Sequence, residues 1–148
     1  MTGRRTWPVA VAGLALVVTS PVLTWEAVGD LSLQGYTQLD YAVRPPRLGP
    51  GTTLALGLSA TLVGLTALAV LVLAFVERWV RPGWLLVVGP LVLVGVLAGL
   101  VGRVMTAGVI GANIGAGLAA MAFVPVALML VGLAGGACVF MLRGRHPV

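Results

Sequence analysis

The sequence predicts an all-α transmembrane fold, a four-helix antiparallel bundle with a small extracytoplasmic β-hairpin in its first loop. Three observations predict it. Apolar runs of about 18 residues or more recur along the chain, the length that a helix needs to cross a bilayer. Of the 148 residues, 59% are apolar and 9% charged, whereas ordinary globular chains run about 45–50% and about 25%. The mean hydropathy is +1.10. So little polar surface cannot cover a water-soluble core, and residues 1–148 read as a single integral membrane domain whose first partner is the lipid bilayer.

The formal charge of +5 comes from Arg alone, opposed by Glu26, Asp30, Asp40 and Glu77. The arginines stand in short groups beside apolar runs instead of gathering on one face, so they read as orientation signals and exclude nucleic acid as a partner. Cys138 is the single cysteine and His146 the single histidine. One chain therefore forms no disulfide and no thiolate zinc site.

Helix one is expected over about 7–23, after Arg4 and Arg5. Ser20-Pro21 makes a poor cleavage site and further spans follow, so the segment reads as a retained helix and not as a signal peptide. Helix two is expected over about 52–76, stopping at Glu77, Arg78 and Arg81, where the Glu77-to-Arg81 spacing suits a helix-end ion pair. Pro82-Gly83 turns the chain into helix three, about 84–102, stopped by Arg103. Residues 104–142 exceed one simple span at about 1.5 Å per residue. Helix four is expected over about 118–142, after a Gly-rich turn, an interfacial segment or a re-entrant dip around Asn113. Pro125 predicts a kink there unless that helix starts later.

Arg4, Arg5, Arg78, Arg81, Arg143 and Arg145 fall on one side of four such spans, with Arg44, Arg47 and Arg103 on the other. The positive-inside rule makes both termini cytoplasmic. Trp7, Trp25, Trp79 and Trp84 all lie at span ends, as an interfacial aromatic belt requires. The external loop, about 24–51, holds Gly29-Asp30 between Trp25-Glu26-Ala27-Val28 and Leu31-Ser32-Leu33-Gln34, which predicts the hairpin. A lone hairpin is marginal in water, so this one is expected to lie on the helix ends or to pair with another strand. Arg44-Pro45-Pro46-Arg47 then forms an extended lead into helix two.

A first helix ending in Ser20-Pro21 and Thr24-Trp25, a Gly-containing strand pair through Gly35, and a second helix opening Thr52-Thr53-Leu54-Ala55-Leu56-Gly57-Leu58 resemble small four-helix membrane proteins of actinobacteria. The tryptophan-biosynthesis-associated membrane protein family is one such group. The resemblance covers about the first half of the chain and implies a fold, not an activity. The layout is also similar to that of claudins, whose paired loop cysteines this chain lacks.

Within the expected spans no ionisable residue lies away from the ends, and no acid/base pair, nucleophile or metal set is visible, so neither catalysis nor a cofactor is expected. The three loop carboxylates read as turn chemistry, and Cys138 as packing. Gly111-x-x-x-Gly115 has neither a preceding strand nor a following Lys, so it does not read as a phosphate loop. The positive signal is small residues at helix-packing spacing: Gly95 with Gly99, Gly132 with Gly136, and a track through Gly57, Ala60, Gly64 and Ala67. With Trp25, Leu31 and Leu33 as external contacts, these predict a structural or accessory subunit that meets another membrane protein or a second copy of itself. The alternative is an oligomeric transporter or channel, with Asn113, Thr61 and Thr66 along a neutral pathway; a membrane enzyme comes third. A bacterial inner membrane is the expected setting.

Overall fold

A computed structural model of the protein describes residues 6–35 and 39–143. It contains helices α1 (Thr6–Val28), α2 (Pro50–Val76), α3 (Leu85–Thr106) and α4 (Ala112–Arg143), with a 3₁₀ turn at Pro82–Trp84 leading into α3. All four helices are long and apolar enough to cross a membrane, which makes this a multi-pass membrane protein.

The ends of the helices follow local chemistry. Helix α1 runs past its expected stop to Val28, and Gly29 takes the left-handed conformation at φ 71° that glycine adopts after a helix. The expected β-hairpin is therefore absent from the described residues, because Trp25 to Val28, its first strand, remain helical. Pro50 opens α2 at a position where no backbone donor is needed. At the other end of α2, the Trp79 N–H donates to the Ala74 carbonyl at 2.8 Å and the Arg78 N–H to the Phe75 carbonyl at 3.1 Å, a Schellman motif with Arg78 at φ 55°. That reversal takes Arg81 off the helix, and among the described residues Glu77 pairs with neither Arg78 nor Arg81. Helix α4 starts at Ala112, not near 118, so a short connection over 107–111 replaces the expected interfacial or re-entrant segment. Its 32 residues reach about 48 Å at about 1.5 Å per residue, so it tilts or stands beyond a hydrocarbon core of about 30 Å. Pro125 lies in its interior.

The four helices of the expected bundle pack as an open row. Helix α2 packs on α1, α1 on α3 and α3 on α4, while α2 and α4 do not pack together. No large side chain is fully buried among the described residues; the buried ones are Ala, Gly and Ser20, with Leu130 the one larger exception. Water would drive such helices to close around a core, but lipid is as apolar as leucine and supplies no such force. Close backbone approach is what remains. On α2 the buried residues are Ala60, Gly64, Ala67 and Ala74, a seam with the 3.5-residue period of helices that pack along their length.

The tightest crossing joins α1 and α3, which run parallel. Pro21 has no N–H for the Val17 carbonyl, and the Ser20 hydroxyl donates to that carbonyl instead at 2.8 Å. Gly95 sits against this corner: a Cβ there would collide with Ser20 Oγ and stand 3.1 Å from the Val17 oxygen. A Cβ on Gly99 would collide with the Pro21 carbonyl and lie 2.8 Å from Thr24 Cβ. On α2, Gly64 meets Leu23 and Gly57 meets Glu26, both of α1. Gly132 and Gly136 differ, since a Cβ on either would meet nothing within 4 Å. Their shared face, expected to pack closely, instead borders the open cleft between the start of α3 and the last turns of α4 and makes no close contact across it.

Gly99→Leu is expected to destabilise the protein in detergent by about 1–3 kcal/mol, the usual cost of overpacking, whereas Gly132→Leu should stay within about 0.5 kcal/mol of the parent. Thermal unfolding of the two variants beside the parent measures the difference. Equal loss in both would contradict the row.

Candidate functional site

The connections 29–49 and 107–111 meet at one end of the row. Parallel packing brings the last turns of α1 and α3 side by side there, with Trp25 on one and Arg103 on the other. Arg103 Nε donates to the Trp25 carbonyl at 2.7 Å, and its guanidinium carbon lies 4.4 Å from the Trp25 ring centroid. The bond supplies a donor to one of the last carbonyls of α1, which have no partner within the helix, and places a cation at the negative end of that helix dipole. The ring face adds a cation–π contact. Gly102 makes room for the indole: a Cβ there would stand 3.1 Å from the ring.

The long connection is strapped to the short one. The Leu33 N–H donates to the Gly108 carbonyl at 2.9 Å, and the Gly108 N–H to the Ser32 hydroxyl at 2.9 Å. The Val43 N–H donates to the Met105 carbonyl at 3.0 Å and the Val109 N–H to the Asp40 carbonyl at 3.1 Å, the last pair forming an isolated antiparallel bridge. The Tyr41 ring lies where a Cβ on Gly108 would come within 2.8 Å of it. The Leu33 donor, expected to be used within a hairpin, is thus spent on Gly108. Asp30 sets the strap by accepting the Ser32 N–H at 2.9 Å. That bond first, and the Ser32 hydroxyl second, hold the Asp30 carboxyl below its ordinary range, with burial opposing and Arg103 assisting.

Beneath the strap lies a cleft of about 470 Å³. Its floor is α1, through Pro21, Val22, Trp25 and Glu26; Thr53 and Leu56 of α2 form one wall, and Ala98, Gly99, Gly102 and Arg103 of α3 the other. Pro45, Pro46 and Leu48 roof it. The Glu26 side chain lies along α2 at Gly57, where a Cβ would stand 3.4 Å from its Cγ. Among the described residues Glu26 and Arg103 line one cleft without forming an ion pair. A second cleft, of about 460 Å³, lies between the start of α3 and the last turns of α4, and Gly132 and Gly136 help to line it.

The residues singled out in the sequence fall in different places. Trp25 is half-buried against Arg103. Leu31 and Leu33 keep exposed side chains, 43% and 42% accessible, although the Leu33 backbone is tied down. The hydroxyls of Thr61 and Thr66 donate to the carbonyls of Gly57 and Leu62 at 2.8 Å each on exposed positions of α2, and Asn113 is exposed in the first turn of α4. These three do not come together. Sequence reasoning missed Ser32, Tyr41 and Gly108, and read Glu26 as a loop carboxylate and Arg103 as a stop and orientation signal; Gly102 beside Arg103, facing a Trp of another span, was the available sign of the site. Comparison with protein-family models, with curated proteins and with solved structures finds no match in any of the three.

Asp30 generates a pH dependence. A carboxyl depressed in the folded state adds stability above its ordinary pKa of about 3.9, and that stability is lost as pH falls through the lower folded value. The Ser32 amide nitrogen resonance is therefore expected to titrate below about 3.9 and to stop titrating in Asp30→Asn. A midpoint at or above the ordinary value would remove the proposed role of the Asx bond.

Proposed function

We propose that the protein is a non-catalytic structural or accessory subunit of a membrane assembly in a bacterial inner membrane. The observation that supports this best is the open row. A monomer whose end helices do not meet encloses no passage of its own, and α2 and α4 each keep most of their circumference free for lipid or another protein. The strap supports the same reading, because it holds the backbone of Leu33 while Leu31 and Leu33 keep exposed apolar side chains, the kind of anchor that carries contact energy between proteins. Kinship with small four-helix membrane proteins of actinobacteria, including those associated with tryptophan biosynthesis, is proposed on layout alone.

The arginine distribution orients the chain, with the start of α1, the 77–81 turn and the end of α4 cytoplasmic and the strap outside. A cysteine at Gln34 in a Cys138→Ser background should react with an impermeant maleimide in intact cells, and one at Arg81 only after permeabilisation. The reverse pattern would invert the orientation.

For the assembly, Leu31→Ser with Leu33→Ser should reduce recovery of the proteins that co-purify with the tagged parent, while membrane insertion and thermal stability are unchanged. Solute flux through vesicles holding the purified protein alone, abolished by Thr61→Val and unaffected by the double serine change, would replace the accessory reading with an oligomeric transporter.

A further inference from the structure

The cleft beneath the strap holds one cation and one anion that do not neutralise each other. Arg103 has committed its Nε to the Trp25 carbonyl and its flat face to the indole, and its two terminal nitrogens donate to no protein group among the described residues. Glu26 likewise has no hydrogen bond or ion pair among the described residues, and Gly57 lets it lie flat on α2. Asp30 feels the Arg103 charge, but no carboxylate bonds the guanidinium fork, and charged groups left without a hydrogen-bond partner at a membrane interface are costly unless something answers them. A guanidinium fixed through Nε presents the remaining fork that suits a phosphate, and a carboxylate suits a primary ammonium. Below them the walls are apolar, with Val22, Leu56 and Ala98 at the level of the spans.

We infer that this cleft binds a phospholipid whose headgroup carries both a phosphate and a primary ammonium, of the phosphatidylethanolamine class. The phosphate sits on the Arg103 fork and the ammonium on Glu26, and the acyl chains descend between α2 and α3, which the row leaves apart. The cleft volume, about 470 Å³, lies within the range of about 300–1,000 Å³ for ligand sites. A purely anionic lipid satisfies Arg103 but leaves Glu26 facing like charge. A choline headgroup offers no N–H to Glu26, and the Trp25 face that could receive a quaternary ammonium is already covered by Arg103 at 4.4 Å. The inference requires that the chain spans a membrane and is independent of the accessory-subunit reading.

Native mass spectrometry of the full chain, released from nanodiscs of equal parts dioleoyl phosphatidylethanolamine, phosphatidylglycerol and phosphatidylcholine, tests it. The parent should retain phosphatidylethanolamine over either competitor by about tenfold. Glu26→Gln, a near-isosteric change at an exposed position whose folding thermal unfolding checks, should bring the preference over phosphatidylglycerol close to one. Arg103→Gln should lose retention of all three lipids, since each offers its phosphate to the same fork; thermal unfolding checks that it folds, and Arg103→Lys, which keeps the charge, should recover part of the binding. Equal retention of the three lipids by the parent, or an unchanged ratio in Glu26→Gln, would overturn the site. Displacement of the lipid by equimolar soluble glycerophosphoethanolamine would overturn its membrane source and assign the cleft to a water-soluble ligand.

Discussion

The structure depends on the crossing of α1 and α3 at Ser20-Pro21 against Gly95 and Gly99. Helices in lipid gain little from hiding apolar surface, so they hold together where backbones come close enough for many small attractions. Pro21 creates a free carbonyl at Val17, Ser20 satisfies it from the same helix at 2.8 Å, and the resulting compact corner meets a partner with no side chains in the way. The parallel register that follows continues in both directions. Gly13 meets Val88 toward one end, and Trp25 meets Gly102 toward the other. Each outer helix then adds to one side of this pair.

Because α1 and α3 run parallel, their C-terminal ends reach the same level, which produces the chemistry of the loop end. The dipoles of both helices point their negative ends there, and Arg103, in the last turn of α3, answers the carbonyl of α1. An antiparallel neighbour would have presented N–H groups, against which a guanidinium has no acceptor. The strap is a further consequence. With Gly29 ending α1 in the left-handed region, the chain leaves beside the α3–α4 connection, and Ser32, Leu33, Asp40 and Val43 take up the backbone groups of 105–109.

The four spans were legible in the sequence because hydropathy and length speak directly to the cost of exposing backbone groups to lipid. Proline and glycine at the turns were legible for the same local reason. The order of the helices was not. Gly95-x-x-x-Gly99 and Gly132-x-x-x-Gly136 have the same spacing, yet one lies against Ser20, Pro21 and Thr24 and the other meets nothing within 4 Å. Spacing reports that a close approach is permitted; which helix arrives depends on shapes on another span. The hairpin failed for a related reason. Trp25-Glu26-Ala27-Val28 is too short a stretch to compete with a helix already propagating from Thr6, and the donor of Leu33 found its partner at Gly108, far away in sequence. Of the cleft, Trp25 was visible as an interfacial aromatic, while Glu26 and Arg103 were read separately, as a loop carboxylate and a stop signal.

The placement of these two charges departs from what stability alone would favour. A carboxylate and a guanidinium lining one cleft gain by closing into a direct pair where their geometry allows it, modestly so for an exposed group such as Glu26. Here each is set apart by its own glycine. Gly57 gives Glu26 a bed on α2, 3.4 Å from where a Cβ would stand, and Gly102 gives Trp25 the room from which it holds Arg103 on α3. The indole and the α1 carbonyl together fix the guanidinium, so it is not free to swing toward Glu26. Two charges held apart at the rim of apolar walls are poised for a third party that carries both signs, which is why the cleft reads more naturally as a receiving site than as a failed salt bridge.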